Sequence, residues 1–91
     1  MKQAKITVNG KVQGVNFRTN VKNKADNLNL LGTVINLPTG NQVKITVEGH
    51  EEEIEKLINW IETDSHYARI EKVETEWTTP EGKYKSFEIV D

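Results

Sequence analysis

The sequence predicts an α+β sandwich in the order β-α-β-β-α-β with an additional C-terminal strand, two helices lying on one face of an antiparallel sheet. Three observations predict it. Apolar and polar residues alternate in several short segments, the period of a half-buried strand. In two other segments the apolar positions recur at spacings of three and four, the period of one helix face. Breaks containing glycine or proline separate most of these segments.

Ala4, Ile6, Val8, Gly10 and Val12 alternate with Lys5, Thr7, Asn9 and Lys11, which makes the first strand. Gly14 breaks that pattern, and Phe17, Val21, Ala25, Leu28 and Leu31 then form one helical face, with Gly32 as the expected stop. Thr33 to Leu37 is a short strand running into the turn Pro38-Thr39-Gly40-Asn41, and Val43, Ile45 and Val47 alternate beyond it, so the two segments predict a hairpin. After Gly49, the run Glu51-Glu52-Glu53 places acid where a helix macrodipole favours it, and Ile54, Leu57, Ile58 and Ile61 supply the apolar stripe of a second helix. Val73, Thr75 and Trp77 alternate again, Pro80-Glu81-Gly82 turns the chain, and Phe87 and Ile89 mark a last strand. Ile70 is out of phase with Val73, which predicts a bulge or a late start. This order is the ferredoxin-like arrangement. The pattern leaves the pairing of the fifth strand open.

The 91 residues suit one small domain, taken as residues 1–91. Hydrophobic residues make up 35% and charged residues 29%, too apolar for a disordered chain and without a run that could span a bilayer. Met1-Lys2-Gln3-Ala4 leads straight into a strand pattern, so no export leader is expected. The lack of cysteine excludes disulfides and thiolate chemistry, and a cytoplasmic location is expected. The net charge is -2 and the basic residues are dispersed, so neither nucleic acid nor membrane is an expected partner, and any anion must be held by a local set of donors. An RNA-binding domain of the same element order would carry aromatic residues on its central strand, and Gln42 to Glu48 has none. A metal-chaperone domain would need a cysteine pair. His50 and His66 lack metal-ligand spacing, so no metal site is expected; both histidines should be exposed, and Trp60 and Trp77 should pack.

The topology itself brings two distant segments to one edge, the loop Lys11 to Asn16 and the far end of the second strand, carrying Arg18 and Asn36. The loop leads into a helix N-terminus, where backbone N–H groups and the positive dipole end favour an anion, and Gly14 lets the backbone curl closely around a phosphate. Arg18 is locally misplaced: a cation in the first turn opposes the dipole by roughly 0.3–1 kcal/mol unless an anion compensates. Two readings of it stand side by side, a solvated or carboxylate-paired arginine and an anion-binding one. Asn16 reads as the helix N-cap. Asn36 taken alone reads as the end of a strand before Pro38, although its carboxamide can also orient a water without acting as a base.

Val8-Asn9-Gly10-Lys11-Val12-Gln13-Gly14-Val15-Asn16-Phe17-Arg18 resembles the acylphosphatase signature V-x-G-x-V-Q-G-V-x-F-R. Gly32-Thr33-Val34-Ile35-Asn36-Leu37-Pro38-Thr39-Gly40 resembles the G-W-V-x-N-x-x-x-G segment of the same family, at the same separation. The similarity runs on through Trp60 to Ser86-Phe87-Glu88-Ile89. The resemblance implies hydrolysis of a small-molecule acyl phosphate without a cofactor or metal, inorganic phosphate being product and inhibitor. It implies that Gln13, Gly14, Val15, Asn16, Phe17 and Arg18 hold the phosphoryl group, Arg18 by its side chain and the loop by its backbone, while Asn36 positions the attacking water. A monomer is the expected state. Thr33 departs from the usual tryptophan, which alters packing beside the site but leaves its functional groups in place; Asn16 falls at a variable position. The alternative is a non-catalytic ligand-sensing or interaction domain with this fold.

Overall fold

The computed structural model describes residues 1–14, 16–63 and 69–90. The elements are β1 (Lys2–Lys11), α1 (Phe17–Asn27), β2 (Leu31–Asn36), β3 (Gln42–Gly49), α2 (Glu51–Thr63), β4 (Arg69–Thr78) and β5 (Phe87–Val90). The five strands form one sheet in the order β4-β1-β3-β2-β5. No helix among the described residues is long and apolar enough to cross a membrane.

Alternation decides which side of the sheet the helices cover. Ala4, Ile6 and Val8 of β1 pair with Val47, Ile45 and Val43 of β3, and all six are fully buried, together with Val34 of β2. Phe17, Val21 and Ala25 from α1 and Ile54, Leu57 and Ile61 from α2 close the core from above. Burying a Val, Leu, Ile or Phe side chain contributes about 1.5–3 kcal/mol, and here this burial holds both helices on one face. Lys5, Thr7 and Asn9, at the intervening positions, face away from the helices and are half-buried.

The first helix ends earlier than the apolar spacing predicts. Asn29 adopts a left-handed conformation (φ 57°), Leu30 N–H donates to Ala25 O at 2.9 Å and Asn29 N–H to Asp26 O at 3.1 Å. This is a Schellman motif, so α1 stops at Asn27 and Leu30, not Leu31, turns into the core. Gly32, expected as the stop, lies inside β2 instead. A Cβ there would fall 1.8 Å from Thr46 O, so glycine is required by the close approach of β3.

The out-of-phase Ile70 is explained by a bulge. Asn9 pairs with Lys72 and Gly10 with Ile70, leaving Glu71 as the extra residue. Ile70 and Val73 can therefore both pack against the core although they are three residues apart. Trp60 packs there too, whereas Trp77, expected to pack, is 42% exposed on the edge strand β4. His50 is exposed, as expected; His66 lies outside the described residues.

The four strands β1 to β4 pair antiparallel, as expected, but β5 joins β2 in parallel, Gly32 opposite Phe87 and Ile35 opposite Val90, so the complete sheet is mixed. The direction follows from the path of the chain. β4 runs antiparallel to β1 and ends beside Gln3, so the chain crosses the sheet at that end and must run back alongside β2. The crossing is clamped by Glu48, buried at 2% exposure on the face away from the helices. Its carboxylate accepts from Glu81 N–H (2.6 Å), Gly82 N–H (3.2 Å) and Gln3 Nε2 (2.7 Å), and Gln3 Oε1 accepts from Thr78 Oγ1 (2.5 Å). The exposed Glu81 carboxyl is held below its ordinary range chiefly by a hydrogen bond from Gln3 and then by Lys83. Glu48→Ala should destabilise the fold by about 2–4 kcal/mol in urea denaturation, because several donors lose a buried acceptor at once. A loss below about 0.5 kcal/mol, the level of an ordinary surface substitution, would show that the clamp does not hold the crossing.

Candidate active site

The loop between β1 and α1 is anchored at both ends by apolar side chains, Val12 and Phe17, each 1% exposed. Between them the backbone turns left-handed at Gly14 (φ 75°) and Asn16 (φ 60°). Nothing stands within 4 Å of where a Cβ on Gly14 would lie, so it is the backbone angle rather than crowding that favours glycine. A cavity of about 190 Å³ opens over the loop, lined by Val12, Gly14, Asn16, Phe17, Arg18 and Thr19. Val15, also expected in the phosphate loop, lies outside the described residues.

Asn16 occupies the N-cap position of α1, but its side chain makes no cap hydrogen bond. A capping side chain needs an extended backbone to reach the second or third N–H of the helix, and the left-handed angles of Asn16 turn it elsewhere. Its carbonyl accepts from Asn20 N–H (3.1 Å) and Asn20 Nδ2 (2.9 Å). The Asn16 carboxamide therefore does not cap the first turn, and no acidic residue stands in that turn.

Arg18, half-buried in the same turn, donates from Nη1 to Val90 O at 3.2 Å. Val90 stands opposite Ile35 in the β5–β2 pair, one residue from Asn36. Asn36 ends β2, pairs with Val43, which itself pairs with Val8, and so projects on the helix-covered face. Its Oδ1 is buried and finds no hydrogen-bond partner among the described residues. Gln13, expected to contribute its backbone, also uses its side chain: Nε2 donates to Leu37 O and Gln42 O, each at 2.9 Å. The strand end before the loop is tied to the same hairpin by Gly10 N–H donating to Asn41 O at 2.9 Å. The fold thus gathers Gln13, Gly14, Asn16, Phe17, Arg18 and Asn36 at one end of the sheet. The contacts of Arg18 with Val90 and of the Gln13 amide with the hairpin had no signal in the sequence, since both join residues far apart along the chain.

A larger cavity of about 500 Å³ is lined by Met1, Leu28, Leu31, Glu48 and His50 among others, at the opposite end, and shares no residue with the loop. Among the described residues no group of three or more His, Asp or Glu side chains is placed to hold a metal ion.

The Acylphosphatase family model matches residues 4–89. The chain belongs to the acylphosphatase family. It is 40% identical over 88 residues to an acylphosphatase of Caldanaerobacter subterraneus, covering 97% of each chain. Its structure superposes on that of the Bacillus subtilis acylphosphatase with a TM-score of 0.92 at 31% identity, over 100% of both chains. It also matches 12% of the much longer HypF of T. kodakarensis, with a TM-score of 0.86 and 37% identity over 100% of this chain. Acylphosphatases are hydrolases acting on acid anhydrides, and whole-length similarity to them does not favour the non-catalytic alternative.

Proposed function

We propose that this chain, acting as one domain over residues 1–91, hydrolyses the carboxyl–phosphate bond of a small-molecule acyl phosphate to a carboxylate and inorganic phosphate. The observation that carries the proposal is Asn36 Oδ1, a buried acceptor with no hydrogen-bond partner among the described residues, at the sheet end where the Gln13 to Arg18 loop opens. The loop N–H groups from Gln13 to Phe17, Val15 included, hold phosphoryl oxygens, and the planar fork of Arg18 binds two more contacts on the equatorial oxygens. Asn36 accepts a hydrogen bond from water and aims its lone pair at phosphorus.

The water oxygen forms a bond to phosphorus while the bond from phosphorus to the acyl oxygen breaks, and the electron pair leaves with the carboxylate. A carboxylate departs without a proton, so no general acid is needed. The proton of the attacking water passes to a phosphoryl oxygen. What remains for the protein is position and charge compensation, which suit donors and a carboxamide. The reaction is metal-independent in this scheme, the product phosphate competes for the cradle, and the protein is a cytoplasmic monomer, a location that its cysteine-free sequence supports.

The test is hydrolysis of a simple aromatic acyl phosphate, with a phosphate monoester as the control. Turnover of the anhydride with little action on the ester is expected, competitively inhibited by inorganic phosphate and unchanged after exhaustive chelation. Equal action on both substrates would sink the anhydride specificity. Activity lost on chelation and restored by one particular metal would overturn the metal-free scheme.

A further inference from the structure

We infer that the side chain of Gln13 is a positioning residue for the hydrolysis: it locks the phosphoryl-binding loop to the strand end carrying Asn36, and so sets where the water stands relative to phosphorus. The inference rests on the function proposed above.

The loop and Asn36 come from separate segments, and attack in line requires their relative placement to hold within about 0.5 Å. Gln13 is the first residue of the loop and is half-buried. Its primary amide has two N–H donors, and Nε2 uses them on two carbonyls, Leu37 O and Gln42 O, at 2.9 Å each. Leu37 directly follows Asn36. Gln42 faces Leu37 across the mouth of the hairpin, its carbonyl also accepting from Leu37 N–H at 3.0 Å. Beyond this point the turn 38–41 is exposed. One side chain from the loop therefore bridges both strands of the hairpin at the last rung before the turn, next to the residue that handles water.

On the other face of the sheet the hairpin end is braced separately. Gln42 Nε2 donates to Asn9 Oδ1 at 2.8 Å, and Thr39 Oγ1 donates to Gln42 Oε1 at 3.0 Å. These bonds fix the hairpin to β1 but leave the phosphoryl-binding loop untouched. The Gln13 amide supplies the link to the loop itself. A carboxylate at this position would present no donor and would repel the two carbonyls, so Gln13→Glu, of the same size, removes the lock while filling the same space.

The experiment is a double-mutant cycle between Gln13 and Asn36, reading kcat on an aromatic acyl phosphate and the dissociation constant of inorganic phosphate. Gln13→Ala and Gln13→Glu should each lower kcat about 10-fold or more, as a misplaced reacting group does. In Gln13→Ala the phosphate affinity should stay within about twofold, because the backbone cradle remains; Gln13→Glu also adds a negative charge beside the anion and is read on kcat alone. In the Asn36→Ala background the same substitutions should cost less than about twofold, the lock then having nothing to position. An equal cost in both backgrounds, phosphate affinity falling in step with kcat in Gln13→Ala, unchanged kcat in both Gln13 variants, or loss of folding in both would each overturn the positioning role. The Asn36→Ala arm by itself reports on the proposed function: normal turnover there defeats the assignment of Asn36, whatever Gln13 does.

Discussion

Arg18→Gln should reduce kcat/KM on an aromatic acyl phosphate by about 10²–10³-fold or more, the size expected when a main charge-stabilising donor is lost. The guanidinium stands in the first turn of α1, with Nη1 on Val90 O at 3.2 Å, beside the loop where a planar fork can reach a phosphoryl group. Arg18→Lys should fail to restore activity, because an ammonium is a point charge and cannot span two oxygens. The fold should be little affected. Removing the cation relieves an adverse dipole interaction of about 0.3–1 kcal/mol, and losing the Val90 bond costs a similar amount. A folded Arg18→Gln variant with near wild-type kcat/KM would remove this residue from the mechanism.

Asn36→Ala should lower kcat by about 10²-fold or more while inorganic phosphate still binds, because the loop and Arg18 are left intact. Binding can be read from stability: phosphate at about 100 times its Kd adds roughly 2.7 kcal/mol, which raises Tm by about 10–20 °C in a domain of this size. The apo variant should lose little stability through hydrogen bonding, since Asn36 Oδ1 has no partner among the described residues to give up. Unaltered turnover would mean that Asn36 only ends its strand. Phosphate affinity lost in parallel with turnover would mean that it shapes the cradle rather than the water.

Much of the fold was legible because strand and helix periods are properties of the local backbone. The alternation through Ala4, Ile6 and Val8 and through Val43, Ile45 and Val47 identified two strands, whose buried faces the structure pairs residue by residue. The phase slip at Ile70 left a bulge or a late start open, and the structure shows the bulge, opposite Asn9 and Gly10. The end of α1 was misread because glycine is the commoner helix stop, and Gly32 stood where a stop would fit. Asn29 does that work through its left-handed angle, and Gly32 serves the close approach of Thr46. Asn16 was legible as the residue before the helix but not as an uncapped one, since its backbone angles depend on how the whole loop turns.

By itself the sequence determined the order of elements and most residues of the core, and its two gapped motifs pointed to the family and to the residues Gln13 to Arg18 and Asn36 on which the proposed site rests. Only the tertiary structure decided how these meet. β5 runs parallel to β2 because the chain leaves β4 at the far end of the sheet, crosses under the clamp of Glu48 and has one direction left to run. That return brings Val90 to Arg18, just as closure of the hairpin against the loop brings Gln13 to the peptides beside Asn36. A periodic pattern records which face of a segment is apolar. It carries no record of which distant carbonyl a side chain will meet, because that depends on the path of the entire chain.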